Sequence, residues 1–118
     1  MREEFAVHGP LSRWIFALAV LVSLVALFAP GPAVPSAPPG VDKVVHVTLF
    51  AALAFTGRWA GIRRGVLAAV LPVYAAASEL LQELPALQRD ASVGDLVADV
   101  AGVLGGLLLW ELVARRRR

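Results

Sequence analysis

Cysteine is absent from this 118-residue chain, so disulfides and thiolate metal sites are excluded and the redox compartment stays open. Charge is scarce at 17%, where average usage is about 25%. Lysine occurs once, at Lys43, and histidine twice, at His8 and His46. There is no glycine-rich phosphate loop, nucleophile motif or redox signature. What remains is apolar: 58% of residues are hydrophobic and the mean hydropathy is +0.73. Lipid covering the surface would account for that excess without a compact soluble core. Residues 1–118 are expected to form one domain. Ala, Gly, Val and Arg are frequent, a bias that suggests a GC-rich bacterial genome.

Four apolar segments stand out, at about 14–29, 41–57, 65–84 and 93–114. Each is near the roughly 17–25 residues that a spanning helix needs, with the first two at the short end. Pro30, Pro32, Pro35, Pro38 and Pro39 break the chain between the first and second segments and favour an extended loop. A Gly- and Arg-containing turn separates the second from the third, and a polar turn from Pro85 to Ser92 separates the third from the fourth. Asp90 or Ser92 is placed to cap the fourth helix, with Asp95 in its first turn. The expected fold is all-α: a four-helix transmembrane bundle with short polar loops. The first segment also has the positive flank and apolar stretch of a signal peptide. The proline-dense sequence after it is a poor cleavage context, so it is read as a span.

Arginines set the expected orientation. Arg2, Arg13, Arg58, Arg63, Arg64 and Arg115 to Arg118 all fall on one side of a four-span chain. The other side holds Lys43 and Arg89, each beside an acid, Asp42 and Asp90. The positive-inside rule makes the arginine side, and both termini with it, cytoplasmic. The expected location is the bacterial cytoplasmic membrane, as a multi-pass protein. The terminal arginine run is read as a topology anchor rather than a nucleic-acid patch. Trp14, Trp59 and Trp110 fall near the same face and read as an aromatic belt. Tyr74, in mid-span, reads as packing.

Polar side chains inside the apolar segments are the candidate site. Asp42 and His46, Glu79 and Gln82, and Asp95 and Asp99 are spaced i,i+3 or i,i+4, so each pair shares a helix face. At 1.5 Å per residue, all lie within about 9 Å of the outer ends of their helices. A carboxylate at the bilayer centre costs roughly 2.5–3.5 kcal/mol on insertion scales, and such residues usually pair or line a wet cavity. Asp95, Asp99, Gly102 and Gly106 form one stripe of the fourth helix. Its Gly102–Gly106 step permits close helix contact, so the stripe is expected to face protein.

These residues carry a resemblance. Asp42-Lys43-Val44-Val45-His46, then Glu79-Leu80-Leu81-Gln82, then Arg89-Asp90-Ala91-Ser92-Val93-Gly94-Asp95 with Asp99 and Gly102, resembles the VanZ-like family. That pattern reads D-K-x-x-H, E-x-x-Q and R-x-x-S-x-x-D, followed by an N-x-x-G step. The match covers about Asp42 to Gly106, and Asp99 stands where the family usually has Asn. The resemblance implies a small helical membrane protein of the cell envelope. In some members it is linked to glycopeptide or lipoglycopeptide tolerance, that is, to antibiotic resistance. It implies no established reaction.

The expected ligand-binding residues are therefore Asp42, His46, Glu79, Gln82, Arg89, Ser92, Asp95 and Asp99. The preferred role is recognition of a polar envelope ligand at the outer face: a membrane lipid, an envelope precursor or an amphiphilic antibiotic. A membrane-embedded enzyme acting on a lipid-linked or phosphorylated substrate is the alternative, with His46 or Glu79 as acid/base and Arg89 facing an anion. A proton-coupled transporter is a third class, for which four short spans leave little conduction path without a homo-oligomer. A purely structural network, with His46 on Glu79 and Arg89 on Asp95, is the bland reading. No nucleic acid, cofactor or metal is expected, since His46, Glu79 and Asp99 without a second histidine make a weak zinc pattern.

Overall fold

The computed structural model describes residues 9–29, 40–83 and 93–116. It is all-helical, with no strand among these residues: α1 (Pro10–Phe28), α2 (Val41–Trp59), α3 (Arg64–Gln82) and α4 (Val93–Arg116). Pro10 occupies the first turn of α1, where its missing N–H removes no helical hydrogen bond. Gly40 at φ 91° precedes α2, and Gly61 at φ 98° shapes the tight α2–α3 turn. Both conformations favour glycine. The Pro-rich loop and the caps expected from Asp90 and Ser92 lie outside the described residues.

α1, α3 and α4 are long and apolar enough to cross a membrane. α2 has the same 19-residue length as α1, but Asp42, Lys43 and Arg58 keep it out of that class. Beyond Asp42 and Thr48, its exposed positions are nonetheless apolar: Val41, Val44, Val45 and Val47. The other helices expose Leu18, Val22, Val73, Val97, Leu104 and Leu108, while His46, Glu79, Gln82, Asp95 and Asp99 are buried. An apolar exterior combined with buried ionisable groups departs from the usual soluble arrangement.

α2 and α4 form the most extensive helix pair, and they run parallel. Lys43 meets Asp95 at one end, Phe55 packs edge-on to Trp110 near the other at 5.4 Å, and Arg58 lies 3.7 Å from Glu111. The glycine stripe makes this pairing close. A Cβ on Gly102 would collide with the Val47 carbonyl oxygen and lie 3.1 Å from the Ala51 nitrogen. A Cβ on Gly106 would collide with the Ala51 carbonyl oxygen and lie 2.9 Å from Ala54 Cβ. These neighbours are largely backbone, so the approach needs the missing side chains.

α1 and α3 run the other way. Phe16 borders Gly57 beside Leu67, Ser23 meets Tyr74, and Gln82 reaches Leu27. An up-down-up-down bundle results. Leu27, Phe50, Leu53, Leu67, Leu71, Val103 and Leu107 fill its centre. Tyr74 packs on Phe28 and Phe50, as a packing residue should, and also hydrogen-bonds Ser23 at 3.0 Å. Trp110 departs from the belt expectation: it is buried against Phe55, whereas Trp14 is exposed. The reason is its register, one helical step beyond Gly106 on the inward stripe of α4.

Candidate functional site

The polar cluster occupies the end of the bundle where α2 and α4 begin and α3 ends. His46 is its hub. Its Nδ1–H donates to Asp99 Oδ1 at 2.6 Å, between side chains that are 2% and 0% exposed. Its Nε2 lies 3.6 Å from Asp42 Oδ1 and 3.7 Å from Asp95 Oδ2. Lys43 donates to Asp95 Oδ1 and sits 3.9 Å from Asp42 Oδ2. Each of these two carboxylates thus offers one oxygen to the ammonium and the other to the imidazole. Asp42 and Lys43 are half-exposed and form the mouth; His46, Asp95 and Asp99 lie beneath them.

Glu79 enters from α3. It is buried, and it contributes a carboxylate oxygen within 4.8 Å of ligand atoms on His46 and Asp99. Asp42, His46 and Asp95 form a second trio at the same spacing. Asp99 Oδ2 is buried without a hydrogen-bond partner among the described residues. Leaving a buried acceptor unmade costs on the order of 1–3 kcal/mol.

Gln82 points elsewhere. Its Nε2 donates to the Leu27 carbonyl at 2.7 Å, meeting an acceptor that the last turn of α1 leaves free. Arg89 and Ser92 lie outside the described residues. The structure therefore brings Asp42, His46, Glu79, Asp95 and Asp99 together and turns Gln82 towards α1. The hydrogen bond drawn in the bland reading from His46 to Glu79 goes instead to Asp99, the residue at which the chain departs from the VanZ-like pattern.

Two features escaped the sequence reading. The Lys43–Asp95 ion pair depends on the parallel register of α2 and α4. The signal for it was that both residues open their helices. At the opposite end Glu111 lies 3.7 Å from Arg58 and 3.6 Å from Arg64, an acid set among arginines that the topology argument passed over.

No protein-family model, curated protein or solved structure matches the chain. Chemically, the cluster holds an imidazole oriented by one carboxylate and facing two others. That arrangement suits acid/base work, cation binding or recognition of a polar headgroup.

Proposed function

We propose that this chain is a small four-span protein of the bacterial cell envelope, with a polar ligand site at the outer face, in keeping with its VanZ-like motifs. The observation that carries the reading is this burial pattern. Three buried carboxylates, Glu79, Asp95 and Asp99, and an imidazole converge beneath a half-exposed Asp42/Lys43 mouth in a bundle otherwise coated with Val and Leu. Interhelical polar contacts contribute only about 0.6 kcal/mol each on average in membranes. Helix packing alone is a weak reason for so many ionisable groups.

α2 completes the fourth span, because its charges sit near its two ends while Val41, Val44, Val45 and Val47 make most of its exposed surface apolar. The arginine end, with Arg58, Arg64, Arg115 and Arg116, faces the cytoplasm under the positive-inside rule. The Asp42/Lys43 mouth then faces outward, at headgroup level. Side by side there, an acid and an ammonium match a zwitterionic or peptide-like headgroup, on a lipid, a lipid-linked envelope precursor or an amphiphilic antibiotic. Catalysis on such a ligand is the second reading, favoured by the Asp99-oriented imidazole. In cells, Glu79→Gln and Arg89→Ala should abolish a drug-tolerance or envelope phenotype at unchanged protein level. If protein level falls in step with the phenotype, the residues are structural.

A further inference from the structure

The spacing around His46 Nε2 does not suit hydrogen bonding. A charged N–H···O bond closes to about 2.7–2.9 Å, and an imidazolium between two carboxylates would pull one of them in. Nε2 instead stands at 3.6 Å from Asp42 Oδ1 and 3.7 Å from Asp95 Oδ2, short of both. It belongs to a side chain 98% buried, whose other nitrogen is committed to Asp99. Two ligands held about 2.0–2.2 Å from a tetrahedral zinc lie roughly 3.4 Å apart. The observed separations are close to that.

We propose that Asp42, His46 and Asp95 form a binding site for a divalent first-row transition ion of the zinc class. His46 ligates through Nε2, and one oxygen of each carboxylate completes the trio. Asp99 is the positioning residue: its oxygen accepts the Nδ1–H and fixes the tautomer that leaves Nε2 free to ligate, as carboxylates behind metal-bound histidines do. Lys43 braces the outer oxygens of Asp42 and Asp95 and leaves Asp42 Oδ1 and Asp95 Oδ2 facing Nε2. Asp42 and His46 at i,i+4 present both ligands on one face of α2, and Asp95 arrives from the first turn of α4. Asp42 is exposed, which gives the ion an entry path and leaves room for water as the fourth ligand.

This trio differs from His46, Glu79 and Asp99, the set that the sequence brought forward. That inner set would ligate through Nδ1, which already donates to Asp99. The proposal rests on the reading of this end of the bundle as a ligand site, but it is measured with the metal alone. A chain that binds zinc without any envelope phenotype, or the reverse, separates the two.

The test is calorimetric titration of zinc into the untagged full chain in detergent micelles. One zinc per chain is expected. Asp42→Asn, an exposed position where folding is preserved, should weaken binding by more than the about tenfold that even an outer-shell partner controls. In a His8→Ala chain, His46 is the sole imidazole. Its nitrogen NMR signals should show zinc on Nε2 with the Nδ1 proton retained. Absence of zinc binding by the unaltered chain would overturn the proposal, as would binding that Asp42→Asn leaves untouched. Zinc on Nδ1, with affinity lost in Glu79→Gln instead, would place the ion in the inner trio and overturn it equally.

Discussion

His46 and Asp99 show how one buried contact organises the site. The 2.6 Å bond joins two side chains with almost no solvent exposure, so each substitution reports on satisfaction of the other. Asp99→Asn keeps a carbonyl oxygen for the Nδ1–H and should cost little. Asp99→Leu leaves that N–H buried and unmade, and should lower stability by about 1–3 kcal/mol. Thermal unfolding in detergent compares the two; equal losses would show that the hydrogen bond does not hold the pair. Gln82→Leu, which removes the donor to the Leu27 carbonyl, should cost about 1 kcal/mol in the same assay. The sequence identified these residues because ionisable groups are expensive in apolar segments. It did not reveal their pairing. Asp99 and Glu79 sit at similar depths, and the rotations of α3 and α4, set by packing, decide which of them reaches Nδ1.

At the scale of elements, the α2–α4 pair is the frame on which Asp42, Lys43, His46, Asp95 and Asp99 are mounted. Gly102 and Gly106 touch α2 backbone, whereas a Cβ on Gly105 would meet nothing within 4 Å. Gly102→Ala should therefore destabilise by about 1–3 kcal/mol through overpacking. Gly105→Ala should be neutral or stabilise by up to about 1 kcal/mol, since alanine favours helix. Chemical or thermal unfolding of both variants checks this, and similar behaviour of the two would contradict the stripe argument. The helices themselves were legible: expected segments at 14–29, 41–57, 65–84 and 93–114 correspond to helices 10–28, 41–59, 64–82 and 93–116, because apolar runs ended by Pro, Gly and Arg leave few alternatives. The inward stripe was legible too, because glycines and acids recur at helical spacing. Its continuation to Trp110 was lost because an aromatic near an arginine cluster also fits a lipid interface. The parallel register that places Lys43 on Asp95 is a tertiary property, set by how Ala51 and Ala54 seat the two glycines.

The whole molecule is a bundle with different ends. Arg58, Arg64 and Glu111 mark one end and the His46 cluster the other, while the flanks between them expose Val and Leu. In the proposed function this polarity joins the site to a membrane face, with four spans and the Asp42/Lys43 mouth open to the outside. Labelling of single cysteines by a membrane-impermeant maleimide measures it directly, and the chain has no native cysteine to interfere. Val41→Cys, exposed beside the mouth, and Ser36→Cys in the preceding loop should label in intact cells. Arg63→Cys, in the α2–α3 turn, should label only after the membrane is breached. Labelling of Arg63→Cys in intact cells, with Val41→Cys protected until lysis, would contradict the account.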